Sequence, residues 1–259
     1  MRRIVDDGLV YYQFESWPAL QHGIFTRQGG VSPQPWASLN MGGNVGDDSA
    51  NVRYNHDRMY QSLYLNGDRA CTVWQVHTAD VIVATEPNRE QRWLAQADSI
   101  ITDRLDTPLT MRFADCTPLF FFDPVAGIIG MAHAGWRGTV QGVGANTVRT
   151  MVATFGCKPA NIQAGIGPAI GPEHYQVGEE VVEAVQNYFG TTDGLIRRSS
   201  IDGTAYLDLW AANALDLQRA GVEQIEVAAM CTVDHNDEFF SHRAEKGRTG
   251  RFGAVLSLS

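Results

Sequence analysis

Apolar and β-branched residues come in short runs along this chain, and glycine, proline or aspartate bounds most of them. Runs of this length, rich in valine, isoleucine and phenylalanine, are typical of β-strands. The pattern predicts strands, the last of them buried, at residues 10–14, 73–75, 81–84, 99–102, 109–113, 119–122, 128–131 and 225–230.

Other segments repeat apolar residues at the period of an α-helix, with aspartate or serine before them or glycine after them. The predicted helices are residues 50–65, 139–155, 178–188 and 208–220. Because these helices do not alternate strictly with the strands, a doubly wound parallel sheet is not expected. The pattern instead predicts an α+β layered sandwich with mixed sheets, folded as a single domain over residues 1–259.

The net charge of the chain limits the kinds of molecule that the protein is expected to bind. Asp and Glu number 29 against 20 Lys and Arg, which gives a formal net charge of −9. Non-specific nucleic-acid binding rests on basic surface, so we expect no nucleic-acid partner. No apolar region follows Arg2 and Arg3, and no apolar stretch has the length of a membrane span. We therefore expect a cytoplasmic protein without a membrane partner, and we favour a monomer.

Four scattered cysteines without a C-x-x-C pair argue for reduced thiols rather than a disulfide framework. We interpret Cys71 and Cys157 as structural. Cys116 differs, because Asp115 precedes it and an apolar run follows it.

Two histidines share that setting with Cys116. His77 and His133, like Cys116, lie at the edge of an apolar or β-branched run, where a strand delivers side chains to one end of a sheet. Two imidazoles and a thiolate are good zinc ligands, and a three-ligand site leaves one position open for water or substrate. His77, Cys116 and His133 are therefore candidate ligands of a catalytic zinc.

Candidate substrate-binding residues lie in or beside glycine-rich segments. Arg27 and Arg137 carry guanidinium groups that can bind phosphate or carboxylate through two hydrogen bonds. Arg137 also lies where a strand is predicted to lead into a helix, whose first N–H groups favour anions. Asn40 begins a glycine-rich stretch that permits close approach to a polar ligand. Residues 165–172 lack the dinucleotide-binding pattern and are expected to form a pocket wall.

Nine short motifs resemble those of the YfiH family. The resemblance extends over about residues 22–252. The motifs read TRQGGVS at 26–32, SLNMG at 38–42, WQVH at 74–77, ADS at 97–99, ADCTP at 114–118, HAGWRG at 133–138, GIGP at 165–168, FFSHR at 239–243 and TGR at 249–251. The resemblance implies a four-layer α/β/β/α sandwich related to cysteine hydrolases, with zinc on His77, Cys116 and His133. His242 departs from the pattern, which has tyrosine there in many relatives.

Members of that family carry three kinds of name: purine nucleoside phosphorylase, multicopper polyphenol oxidoreductase or laccase-domain protein, and peptidoglycan editing factor. The first implies zinc-dependent phosphorolysis of adenosine, inosine and 5′-methylthioadenosine to free base and ribose 1-phosphate, with adenosine deaminase side activity. Purine nucleosides and phosphate would be the partners, with Arg27 or Arg137 holding phosphate. Asp115 or Asp98 would orient a metal ligand.

Two alternatives stay open. In an amide hydrolase, Cys116 would be the nucleophile and His133 or His77 its base, editing a muramoyl-peptide precursor. A laccase would need more imidazoles than the seven histidines supply, so we expect copper at this site to be adventitious.

Overall fold

The computed structural model describes residues 1–18, 20–87 and 93–258. Its helices are α1 (Ser49–Ser62), α2 (Trp136–Val140), α3 (Val143–Phe155), α4 (Glu179–Phe189) and α5 (Leu209–Arg219). Its strands are β1 (Arg2–Asp6), β2 (Leu9–Gln13), β3 (Gln21–Phe25), β4 (Val81–Val83), β5 (Ser99–Thr102), β6 (Leu109–Phe113), β7 (Thr117–Asp123), β8 (Ile128–Ala134), β9 (Gln163–Ile166), β10 (Gln176–Val177), β11 (Ile196–Arg198), β12 (Ala205–Leu207), β13 (Gln224–Val227) and β14 (Phe252–Ser257).

The strands form two large sheets and one small one. Five strands make an antiparallel sheet in the order β1-β2-β3-β14-β6. Six strands make a mixed sheet in the order β13-β9-β7-β8-β5-β4, whose two edge pairs are parallel and whose central pairs are antiparallel. The small antiparallel sheet has the order β10-β12-β11.

The two large sheets pack face to face, and helices cover both outer faces. Phe120 of β7 and Phe252 of β14 lie in the core between the sheets. Phe121 points the other way, into a second core that includes residues of α3 and α5. Helix α1 packs on the outer face of the five-stranded sheet through Met59 and neighbouring residues. This arrangement confirms the predicted α+β sandwich with mixed sheets and its four α/β/β/α layers.

A central strand that is covered on both faces has a continuous run of apolar residues in its sequence. Strand β7 is covered in this way, so its apolar run could be recognised from the sequence. Phe120 and Phe121 are both fully buried although they face opposite layers. Each contributes about 3–5 kcal/mol to stability relative to alanine.

One predicted strand is absent, and another is present but differs from the prediction in its burial and its end. Residues 73–75 form no strand, and Trp74 makes only an isolated bridge to Gln96. There the Gln75 side chain bonds the backbone of Arg112 in β6 at 2.7 and 3.0 Å, taking the place of a strand ladder. Residues 225–230 were expected to be a buried strand, but β13 is a half-exposed edge strand that ends at Val227.

The predicted helix over residues 139–155 is in fact two helices. Gly142 lies between α2 and α3 with φ of 73°, a left-handed conformation that interrupts the helical path. Strands β1, β3, β9 to β12 and β14 were not predicted from the sequence. No helix in the described ranges is long and apolar enough to span a bilayer.

Candidate metal centre and cleft

Three loops and strand ends bring together the three predicted metal ligands. His133 lies near the end of β8, Cys116 directly precedes β7, and His77 lies in the segment before β4. Their ligand atoms lie within 4.8 Å of one another. His77 and Asp115 have φ of 64° and 79°, a conformation that costs energy for residues other than glycine. The fold therefore holds strained backbone at the point where the ligands meet.

Asp98 orients His133 and the segment that carries His77 through hydrogen bonds. Its Oδ1 accepts a hydrogen bond from His133 Nδ1 at 2.7 Å, which leaves Nε2 of a neutral ring as the nitrogen available to a metal. Its Oδ2 accepts from the backbone N–H groups of Val76 and Thr78 at 3.0 and 2.7 Å. One fully buried carboxylate thus fixes both the His133 ring and the segment that carries His77.

The electrostatics of the group favour a thiolate. Burial by itself would raise the pKa of the Cys116 thiol, but the His133 and His77 rings outweigh burial and lower this pKa below its usual value. Burial likewise opposes a charge on His133, but Cys116 and Asp98 raise the pKa of this imidazole. The hydrogen bond from His133 helps to lower the pKa of Asp98 despite its burial.

The absence of a side chain at Gly135 leaves the space that the Cys116 sulfur and the His77 ring occupy. A Cβ at Gly135 would lie 2.8 Å from Cys116 Sγ and 3.3 Å from the His77 ring, so a larger residue would push the ligands apart. Two ring nitrogens and a thiolate sulfur are the donor types that zinc prefers, and three protein ligands leave a coordination position open. The residues therefore fit a catalytic zinc.

The group opens into a cleft of about 1000 Å³ that is large enough for a small organic substrate. Among the described residues that line it, four are arginines and one, Asp115, is a carboxylate. The cleft is therefore basic although the chain is acidic. Its wall includes Trp74, Trp93, Tyr175, His242, Arg53, Arg112, Arg243 and Arg251.

Two of these arginines, Arg243 and Arg251, donate to carbonyl oxygens, which carry no formal charge. Arg243 donates to the carbonyl groups of His174 and Gln176, and Arg251 donates to those of Thr249 and Gly250. Arg112 donates to a threonine hydroxyl and a carbonyl. Burial lowers the pKa of Arg251, which marks its charge as poorly solvated. These groups suit an anionic ligand.

Asp115 lies in the cleft wall, but both of its carboxylate oxygens are engaged. Oδ1 accepts from the Thr232 hydroxyl at 2.6 Å, and Oδ2 accepts from the Arg243 backbone N–H at 2.7 Å. The residue therefore ties the segment that carries His242 and Arg243 to the loop that carries Cys116.

The structure does not bring Arg27 to the metal ligands. Its guanidinium donates to the Ala37 and Asn236 carbonyl groups and to Glu245, beside a separate and smaller depression. Arg137 is exposed on α2 and stacks over the Trp136 ring, 4.4 Å from its centroid. Helix α2 is only five residues long, so its dipole contributes little to the anion site predicted at its N-terminus.

Asn40 is fully buried beneath the cleft. Its side chain bonds the backbone of Gly42 and accepts from the Arg251 N–H at 2.9 Å. Asn40 therefore shapes the wall formed by Met41–Val45 and positions Arg251 through its backbone.

Several cleft residues were missed in the sequence. Arg112 interrupts the apolar run of β6 and could have been noticed for that reason, and Arg251 lies in the TGR motif. Tyr175 gave no signal, and Trp74, although it begins the WQVH motif, lay in a predicted strand, where an aromatic residue is usually a core residue.

The fold and this site define a class: a layered α+β protein with a His-Cys-His group of potential metal ligands at the base of a basic cleft. The family model described as multi-copper polyphenol oxidoreductase laccase matches residues 21–259. The chain belongs to this family, which confirms the YfiH resemblance.

Curated relatives and solved structures agree. The chain is 38% identical to "Purine nucleoside phosphorylase YlmD" of Geobacillus stearothermophilus over 242 residues, 90% of this chain and 88% of that protein. It is 37% identical to "Purine nucleoside phosphorylase YfiH" of Escherichia coli over 238 residues, 90% of this chain and 91% of that protein. The crystal structure of Geobacillus stearothermophilus YlmD superposes with a TM-score of 0.93 at 35% identity, covering 98% of this chain and 97% of that one.

Proposed function

We propose that this protein is a zinc-dependent purine nucleoside phosphorylase that converts adenosine, inosine and 5′-methylthioadenosine to the free base and ribose 1-phosphate. The observation that supports this proposal most directly is that His77, Cys116 and His133 converge beneath a basic cleft with aromatic residues in its wall. The names of the relatives supply the substrate class.

Phosphorolysis transfers the ribosyl group to phosphate. An oxygen of phosphate bonds to C1′ as the bond from C1′ to the purine nitrogen breaks. The electron pair of that bond passes to the base, which takes up a proton. We assign the holding of phosphate to Arg243 and Arg251 rather than to Arg27 or Arg137, because Arg243 and Arg251 are among the residues that line the cleft. The aromatic rings of Trp74 and Tyr175 offer surfaces on which a purine can stack.

His77, Cys116 and His133 would hold the zinc, with Asp98 orienting His133. Bound there, zinc would supply Lewis-acid chemistry, which polarises a substrate or phosphate oxygen and activates water for the adenosine deaminase side activity that we also propose. Asp115 would keep Cys116 and the Arg243 segment in register rather than exchange protons, since both of its oxygens already accept hydrogen bonds.

The test is an assay of metal-quantified protein with inosine, with and without phosphate, in which hypoxanthine and ribose 1-phosphate are measured by chromatography. We expect both products only when phosphate is present. Cys116→Ala and His133→Ala should lose zinc and activity together while keeping the fold. Cys157→Ser is the matched control, because this cysteine is buried away from the ligands, and it should keep both. Full zinc and full turnover in Cys116→Ala would refute the site assignment.

A second candidate is an amide hydrolase that edits a muramoyl-peptide precursor. Its supporting observation is the chain of Cys116, His133 and Asp98, which has the order of nucleophile, base and orienting carboxylate. A cysteine that binds metal cannot serve freely as a nucleophile. Zinc-loaded protein that releases no base from inosine, and metal-free protein that hydrolyses the muramoyl amide, would favour the hydrolase.

Copper oxidase chemistry is the third possibility that the family description raises. Within residues 1–18, 20–87 and 93–258, two groups of three potential ligands converge, and neither consists of histidines alone. This supports our view that copper at Cys116 is adventitious. Phenol oxidation that increases with copper loading, at the expense of zinc and of phosphorolysis, would contradict it.

We further propose that the protein acts in the cytoplasm as a monomer. Metal-bound thiolates need a reducing compartment, and the four cysteines, all in the described part of the chain, form no disulfide. Light scattering on the eluting protein would test the oligomeric state.

A further inference from the structure

A second group of potential metal ligands lies beside the cleft. His174, Cys231 and Asp234 place a ring nitrogen, a sulfur and a carboxylate oxygen within 4.8 Å of one another. Cys231 is buried, His174 is half-buried and Asp234 is exposed. The group therefore combines a buried, rigid ligand (Cys231) with an exposed ligand that can change its rotamer (Asp234), and a metal ion can reach it from solvent.

The backbone fixes the buried sulfur. Cys231 forms an isolated parallel bridge with Ala169, and its Sγ accepts a hydrogen bond from the Gly171 N–H at 3.2 Å. An amide donor of this kind is typical of the outer shell around a metal-bound thiolate. A Cβ at Gly171 would lie 3.1 Å from Cys231 Cβ and 3.2 Å from Sγ, so glycine allows this close approach.

The other two ligands are already paired. His174 Nε2 lies 2.7 Å from Asp234 Oδ1. In a tetrahedral zinc site, with bonds of about 2.0–2.3 Å, neighbouring ligand atoms are about 3.5 Å apart. The exposed Asp234 carboxylate could provide the small opening by a side-chain rotation, without movement of Cys231.

We propose that His174, Cys231 and Asp234 form a second metal site for a divalent cation of the zinc type. This inference stands independently of the phosphorylase proposal. Binding would displace the proton of the Cys231 thiol to solvent, and a water molecule would complete the coordination. Thiolate, imidazole and carboxylate together favour zinc over magnesium or calcium, which prefer oxygen ligands.

This site would brace the cleft wall. His174 precedes Tyr175, and its carbonyl accepts from Arg243 at 3.1 Å. Cys231 precedes Thr232, whose hydroxyl donates to Asp115. A metal here would hold the segment that carries Tyr175 against residues 231–234, which support Asp115, so we expect it to stabilise the wall rather than take part in the reaction.

The test is to strip the full-length protein with a chelator, reload it with Zn²⁺, desalt it and measure zinc per chain by atomic emission. We expect two equivalents in the unmodified chain. One equivalent should remain in Cys231→Ser and one in Cys116→Ala, and none in the double variant. Asp234→Asn, at an exposed position that does not threaten folding, should weaken the second equivalent about 10–100-fold. One equivalent in the unmodified chain, or two in Cys231→Ser, would overturn the proposal.

Cobalt provides a readout that separates the sites. In Cys116→Ala loaded with Co²⁺, a thiolate-to-cobalt charge-transfer band would come from the second site. A further Cys231→Ser change should abolish that band, whereas Cys157→Ser in the same background should leave it intact. Absence of the band in Cys116→Ala would show that the ordinary hydrogen bond between His174 and Asp234 is all that this group forms.

Discussion

Asp98 is the residue on which both histidine ligands depend. It is fully buried, and its two oxygens serve different partners: one fixes the His133 ring and the other holds the backbone on either side of His77. Removal of one acceptor would leave either the ring or the loop without its support.

We expect Asp98→Asn to weaken zinc binding about 10–100-fold, because an amide replaces one carboxylate oxygen by a donor that repels an N–H group. Competition with a chromophoric chelator would measure this loss, and phosphorolysis should fall in parallel. Asp80→Asn is the matched control, since Asp80 is an exposed neighbour on the same segment. Unchanged affinity in Asp98→Asn would show that the ligands hold their positions without it.

His22 has a structural role, since both of its ring nitrogens are bonded to the backbone. Its Nε2 accepts from the Phe14 N–H at 2.8 Å, and its Nδ1 donates to the Leu20 carbonyl at 2.7 Å. Burial lowers the pKa of this imidazole, although the Leu20 carbonyl opposes the shift. The folded protein therefore resists a proton that the unfolded chain accepts below about pH 6.5.

Because the pKa of His22 is lower in the folded protein than in the unfolded chain, its contribution makes the folded protein less stable at lower pH. As pH falls below about 6.5, stability should decrease by up to about 1.4 kcal/mol per pH unit, until the lower folded-state pKa is reached. His22→Gln should flatten this slope between pH 7 and 5.5 in urea unfolding, whereas His235→Gln, which removes an exposed imidazole, should not. An unchanged slope in His22→Gln would assign the acid sensitivity to other groups.

At the residue scale, the convergence of His77, Cys116 and His133 was predictable, because soft donors at strand ends are uncommon and have a specific chemistry. The substrate-binding residues were not, because an arginine looks the same whether it is bound inside the protein or faces a cleft. Arg27 illustrates this: its glycine-rich setting suggested a ligand, but Asn236 and Glu245, more than 200 positions later, take up its guanidinium.

Among the elements, the junction between α2 and α3 sets the direction of the chain after β8, the strand that carries His133. Gly142 adopts a left-handed conformation there, and a Cβ on it would collide with the hydroxyl group of Tyr188. That hydroxyl donates to the buried Asp216 at 2.6 Å, and Asp216 also accepts from the Ala145 N–H in α3. The junction is therefore locked by a helix on either side.

We expect Gly142→Ala to destabilise the protein by more than Gly156→Ala. Both glycines have φ near 70°, so each substitution carries a conformational cost of about 1–2 kcal/mol. A Cβ at Gly156 has no neighbour within 4 Å, whereas one at Gly142 displaces Tyr188 and its hydrogen bond. Thermal unfolding of the two variants measures the difference, and equal losses would mean that Tyr188 moves aside at no cost.

Helix ends were the predictable part of the elements, because caps act locally. Asp208 accepts from the Ala211 N–H as an N-cap, and Gly190 ends α4 in a left-handed conformation. Strand β14 was not recognised, although it is fully buried. It lies between β3 and β6, and the partners that define it are far away in the sequence.

For the whole molecule, the stacking of the two large sheets joins segments from both ends of the chain. Residues from β2 and from β14 share one core with β7 and β8. This interleaving supports the proposal that residues 1–259 form one domain, since both halves of the chain contribute to the core between the two large sheets.

We therefore expect a single cooperative unfolding transition. In excess chelator, near-ultraviolet and far-ultraviolet circular dichroism should report the same midpoint in urea, as for a two-state domain. Two separated midpoints would contradict the single-domain proposal and would identify a part of the chain that unfolds independently.

The sequence alone determined the class of fold and the approximate helices, and it indicated His77, Cys116 and His133 as a candidate donor set, because these follow from periodicity, local capping and the chemistry of individual side chains. Only the tertiary structure decided which arginines face the cleft, that Asp98 supports both histidines, and that His174 meets Cys231. Those relations join residues that are distant along the chain, and sheet order and layer packing, which local patterns do not encode, bring them together.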